Sequence, residues 1–124
     1  MSMQDILSDF VARINNTIMA QKSTTKVIKS KLIVEICKKL TTTGYFKTFE
    51  VSQYEVTVAI APKLGRMKRV SRPGQRIYGS YNELPKIIDG FGTNIITTSY
   101  GVLTSKEAKE KKAGGEFLLQ VISN

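Results

Sequence analysis

Thr97, Thr98, Ser99, Tyr100 and Gly101 set three hydroxyls, an aromatic ring and a glycine in an unbroken row, and Gly114-Gly115-Glu116 follows after a short basic stretch. A hydroxyl both donates and accepts hydrogen bonds. An array of them beside an aromatic ring and lysines suits ribose, base edges and phosphate. Tyr78 and Tyr100 can stack on a base or bond ribose through the phenol. Glu116 can accept from a base amino group or a ribose hydroxyl. The plainer alternative for the threonines is an edge strand, where threonine is common. Gly101 serves either a turn or a close backbone approach.

Two basic clusters add attraction. Lys63, Arg66, Lys68, Arg69, Arg72 and Arg76 fall in one run with no acid among them. Such a run approaches phosphates in a salt-sensitive way, or lies solvated on a strand face. Lys22, Lys26, Lys29 and Lys31 surround Ser30. Ser30 reads as a helix cap, and the backbone amides of a helix start attract phosphate; an ordinary cap with solvated lysines explains the same residues.

The whole chain agrees with a polyanionic partner. It carries 19 Lys and Arg against 10 Asp and Glu, a net charge of +9 over 124 residues. Nucleic acid is the first candidate and an acidic membrane the second. Histidine is absent and Cys37 is the single cysteine, so zinc sites of the usual ligand types and Ser-His or Cys-His nucleophile pairs cannot be built. No carboxylate pair or phosphate loop ending in Gly-Lys-Ser/Thr emerges, so neither enzyme, metal nor cofactor is expected. Cys37 falls on an apolar helical pattern and reads as a buried structural thiol. The start of the chain does not read as a secretory signal, and no run of 18 apolar residues occurs, which predicts a soluble cytoplasmic protein.

The elements that must position these residues read as an α+β fold of two small packed subdomains, 1–62 and 63–124. The first is predicted as α-β-α-β-β. Ile6, Phe10, Ile14 and Ile18, widened by Leu7 and Val11, mark a helix over 4–21, with a weak capping box at Ser2 and Asp5. A short strand at 26–28 follows, then a helix capped by Ser30, running to about Thr42 and stopped by Thr43-Gly44. Strands at 46–51 and 54–60 flank a tight hairpin at Ser52-Gln53. Residues 62–65 join the subdomains. The second is mainly antiparallel β with short helices. It opens with a basic strand over 66–72, a Pro73-Gly74 turn and an extended piece at 76–79. A short helix is predicted around 83–88 with Pro85 in its first turn, and a bend between Gly90 and Gly92. Strands at 94–98 and 102–103 meet through Tyr100-Gly101. Thr104 and Glu107 form a capping box for a helix that Gly114-Gly115 ends, and an apolar strand at 116–122 closes the chain.

Several long motifs carry a resemblance to one family. Met3-Gln4-Asp5 with Asp9 and Arg13-Ile14-Asn15-Asn16, Ser30-Lys31-Leu32, the segment from Arg69 through Ile77-Tyr78, Glu83-Leu84-Pro85-Lys86, and the stretch from Thr97 to Glu116 stand in the right order. Together they resemble the bacterial small-subunit ribosomal protein eight family. The resemblance implies two packed α+β lobes that bind the central domain of small-subunit rRNA early in assembly, beside neighbouring ribosomal proteins. It places specific RNA contacts at Tyr78, Thr97, Thr98, Ser99, Gly115 and Glu116, and an N-terminal contribution at Ser30 and Lys31. Some relatives also repress their own operon mRNA. Asn15 stands where a basic residue is usual, Tyr100 where lysine is common, and the first lobe is shorter between its strands than in many relatives.

The expectation is therefore a structural rRNA-binding protein. Lysines and arginines, among them Arg69, Arg72 and Arg76, supply the salt-dependent attraction. Hydroxyls, Tyr78, Tyr100 and Glu116 supply the fit. No small-molecule substrate is expected. A basic membrane-surface module is the rival, disfavoured by Asp5 and Asp9 on the first helix.

Overall fold

The computed structural model describes residues 3–72, 74–87 and 91–124, with side chains from residue 6 onward. Helix α1 (Met3–Met19) buries Leu7, Phe10, Val11 and Ile14, whereas Ile6 and Ile18 of the predicted stripe pack half-buried against the core. Phe10 meets Phe46 edge to face, with ring centroids 6.4 Å apart. Burying each such side chain stabilises the fold by about 1.5–3 kcal/mol. The helix ends before residue 21, because Gln21 takes φ +59°. Ser2 lies outside the described residues, and so does the Asp5 side chain.

Strand β1 (Thr24–Ile28) leads into helix α2 (Lys31–Thr42). Ser30 is extended and its Oγ accepts from the Ile33 amide, so the predicted cap forms. Ile33, Ile36, Cys37 and Leu40 are buried. Gly44, at φ +90°, then turns the chain out of the helix. Strands β2 (Phe46–Val51) and β3 (Glu55–Ile60) form the hairpin, with the Ser52 amide donating to the Glu55 carbonyl. Val56, Val58 and Ile60 point inward in strict alternation. β3 is central in a three-stranded antiparallel sheet ordered β1-β3-β2.

After a turn at 62–63, strand β4 (Leu64–Arg69) opens the second sheet. The others are β5 (Tyr78–Gly79), β6 (Gly92–Thr98), β7 (Gly101–Thr104) and β8 (Gly115–Ser123). The order is β4-β8-β6-β7, and β5 also pairs with β8. β8 is therefore bordered by a strand on each side, and all its side chains from Phe117 to Ile122, the polar Gln120 included, are buried. Helix α3 (Ser105–Lys111) has the predicted capping box between Thr104 and Glu107. The fold is α+β, as expected.

One core cluster joins both sheets. Leu7, Phe10, Ile33, Val58, Leu64, Met67, Ile95, Val102 and Leu119 belong to it together. A smaller cluster of Ile96, Ala108 and Phe117 lies under α3.

Local expectations fail where a neighbour overrides them. The predicted helix at 83–88 is instead a single 3-10 turn, Tyr81–Glu83, capped by Ser80. Leu84 is extended (ψ 132°), because the ring of Pro85 excludes the helical region from the residue before it; Ile88 lies outside the described residues. The basic strand stops at Arg69 rather than Arg72, although Val70 and Ser71 still donate to β8 carbonyls. Arg72 and Gln75 exchange backbone bonds around Gly74, whose φ of +82° suits the third position of a type II turn; Pro73 is outside the described residues. Gly114-Gly115 does not end α3. Lys112 does, in the left-handed conformation at φ +51°. Gly90 is not described, and Gly92 is the first residue of β6, not part of a bend.

Candidate nucleic-acid interface

The antiparallel register assembles the site. Tyr78 pairs with Glu116, Glu116 with Thr97, and Thr97 with Val102, a row across β5, β8, β6 and β7. Directly paired residues present side chains to one face, so Tyr78, Glu116 and Thr97 stand side by side although the sequence scatters them. The two glycines before Glu116 make this approach possible. A Cβ on Gly115 would lie 1.9 Å from the Thr97 carbonyl oxygen, and one on Gly114 would lie 2.5 Å from that of Gly79.

Beyond the row, the β6–β7 turn is held by Thr98. Its hydroxyl donates to the Gly101 carbonyl (2.9 Å) and accepts from the Tyr100 amide (3.0 Å). Gly101 takes φ +98° in open space, so it serves the turn and not a close approach. Thr98 is thus occupied in shaping the loop, whereas Ser99 and Tyr100 are displayed, Tyr100 with 63 % of its surface exposed. The Lys111 ammonium stands 5.3 Å from the Tyr100 ring centroid and steadies it from α3.

Charge gathers at the same end. Arg76 lies beside the Tyr78 hydroxyl, and the Glu116 carboxylate acts on both Arg76 and Arg69. Arg72 adds like charge next to Arg69. Burial, and then Arg72, make Arg69 somewhat less basic than usual, with Glu116 opposing. Arg69 is half-buried and already donates to Ser8 Oγ on α1 and to the Ser71 carbonyl. It ties β4 to α1, while Arg72, Arg76 and Tyr78 are exposed. Glu116 Oε2 is buried and lacks a hydrogen-bond partner among the described residues. A buried carboxylate oxygen left so is costly, and an incoming donor would remove that cost.

The scan against family models matches residues 5–122 to "Ribosomal protein S8". A protein of Leifsonia xyli subsp. xyli called small ribosomal subunit protein uS8 is 39% identical over 131 residues, covering 98% of this chain and 99% of its own. Counterparts of the same name from Acidovorax sp. and Pseudomonas aeruginosa are each 38% identical over 130 residues, with the same coverage. The chain belongs to the ribosomal protein S8 family. S8 proteins are structural and non-enzymatic.

Against this S8 background, the row and its turn unite Tyr78, Thr97, Thr98, Ser99, Tyr100, Gly115 and Glu116, with Arg69, Arg72 and Arg76 around them. Ser30 and Lys31 stand apart on α2. The Ser30 hydroxyl is taken up by its own helix turn, and Lys31 is exposed. Asn15 has a structural task that the sequence did not reveal. Its carboxamide donates to the Met67 carbonyl (2.9 Å) and accepts from the Met67 amide (2.8 Å). Lys39 and Glu107 form a second unforeseen link, 2.7 Å long, between α2 and α3. No group of metal-ligating side chains occurs among the described residues, and no described helix is long and apolar enough to cross a membrane.

Proposed function

We propose that this chain is a structural constituent of the small ribosomal subunit, and that it binds the central domain of small-subunit rRNA as the platform assembles. The carrying observation is the row of Tyr78, Glu116 and Thr97, flanked by Arg72 and Arg76 and continued by the Ser99-Tyr100 turn. Sequence-specific RNA recognition targets irregular helices, where displaced bases meet aromatic rings and short polar groups. The row offers both on one sheet face. The surrounding cations supply the counterion-release term that draws the backbone in.

The two subdomains divide the task in this reading. Residues 63–124 carry the fit, and residues 1–62 add the α2 start at Ser30 and Lys31. The membrane rival loses ground at α1, where Arg13 is paired to Asp9 at 2.8 Å instead of forming a basic face.

Equilibrium binding to the irregular central-domain rRNA helix, against a regular duplex of equal length, tests the proposal. Tighter binding of the irregular helix at every salt concentration is expected. Equal affinity for both would sink it.

A further inference from the structure

The far end of β6 carries a second feature that the row does not use. A cleft of about 560 Å3 opens there, its walls including Tyr45, Lys63, Gly92, Ser105, Lys106 and Lys109. No carboxylate is among its described lining residues. Lys63 is pre-positioned, because its ammonium donates to the Thr43 carbonyl at 2.9 Å and sits 4.5 Å over the Tyr45 ring. Phe91, with 85 % of its surface exposed, directly precedes Gly92 of the cleft wall in the chain. Its root is fixed. The Phe91 carbonyl accepts from the Ser123 amide at 2.7 Å, and Gly92 presses so closely on β8 that a Cβ would lie 2.1 Å from the Val121 oxygen.

We infer that this cleft binds a single-stranded RNA segment other than the one met by the row, with its phosphates among Lys63, Lys106 and Lys109 and one base stacked on Phe91. A cationic groove with an aromatic platform at its edge is the arrangement that holds single strands, since every base has a face to stack. An acidic peptide would use the lysines and leave the ring in water. The inference rests on the RNA reading only in taking RNA as the polyanion.

The test is titration of the full chain with octauridylate, and separately with the central-domain rRNA helix, at several salt concentrations. Phe91→Ala should weaken octauridylate binding about fivefold or more. Lys106→Gln with Lys109→Gln, which leaves the Lys63–Tyr45 contact intact, should reduce the logarithmic salt slope for octauridylate by about 1.4. Both variants should keep the affinity for the rRNA helix within about twofold, because the sites are far apart. Unchanged octauridylate binding by Phe91→Ala overturns the inference, and so does equal competition by an oligoglutamate of the same charge. Wild-type protein that binds octauridylate through Phe91 but does not prefer the rRNA helix overturns the proposed function alone.

Discussion

The carboxamide of Asn15 pairs with both backbone polar groups of Met67, as a neighbouring strand would. It thereby covers the outer edge of β4 at that residue and fastens α1 to the second sheet. Asn15→Ala leaves both groups of Met67 without their partner, at about 1–3 kcal/mol for the part-buried pair. Urea unfolding should show a lower midpoint with an unchanged slope. Asn15→Lys retains a donor and loses the acceptor, so it should also be destabilising. A midpoint equal to wild type for Asn15→Ala would refute the edge-covering role.

Gly115 and Gly101 separate two reasons for a glycine. Gly115→Ala drives a Cβ into the Thr97 carbonyl, so β6 must move off β8 and the row opens. Gly101→Ala meets nothing and suffers only its positive φ, at about 1–2 kcal/mol. Thermal melting should rank Gly115→Ala well below Gly101→Ala. The reverse order would contradict the close approach.

This pair also shows where the sequence is legible. The Ser30 cap, the Thr104–Glu107 box and the alternation of β3 are local, and they fold as they read. Gly115 could not be read alone, because its neighbour is the carbonyl of Thr97 on another strand. The sequence pattern suggested a helix stop, a task that Lys112 performs. Tyr78, Thr97 and Glu116 were each visible as candidates, but their union depends on strand register. Thr98 reads as a contact residue, and only the fold shows that its hydroxyl also braces the turn. Nothing local marked Asn15 as a clamp, for its partner is a backbone group far along the chain.

The Lys39–Glu107 bridge should give a small acid dependence. Burial pushes the Glu107 carboxyl up, but the bonds from Lys39 and Thr104 pull it further down, and the net value lies below the usual range. A depressed folded-state value contributes stability above the unfolded value, ~4.3. That contribution is lost as pH falls through the folded-state value. About a third of each side chain is exposed, so the contribution is under about 1 kcal/mol. Urea midpoints from pH 7 to 3 should fall less steeply for Glu107→Gln. Parallel curves would disprove the coupling.

Cys37 predicts inertness and an alkaline limb. Burial pushes its thiol up to about 12. A thiol-reactive aromatic disulfide at pH 8 should leave the folded chain untouched and label it as urea unfolds it. The raised value keeps the proton on in the folded state, so its stability contribution is complete below the unfolded value, ~8.5, and declines as pH rises toward 12. Fast labelling without denaturant would contradict the burial.

At the proposed RNA surface, hydroxyl and charge should separate. Ser99→Ala should weaken binding to the central-domain helix with the salt slope unchanged. Lys68→Ala should lower the slope by about 1 and weaken regular duplex and irregular helix alike. Thr98→Ala should act through the turn, so Tyr100 amide exchange should quicken in the free protein. If Ser99→Ala changed only the salt slope, the hydroxyl would have no part in specificity.

The undivided core beneath both sheets has a mechanical meaning. Leu64, Ile95 and Leu119 share one packing unit with α1 and α2, so the lobes cannot hinge without opening that interior. Strand β6 therefore behaves as a rigid caliper, with Gly92 and Thr97 as jaws roughly 17 Å apart at about 3.3 Å per residue. Whatever the protein grips at Thr97 is held at a set distance from whatever it grips beside Gly92.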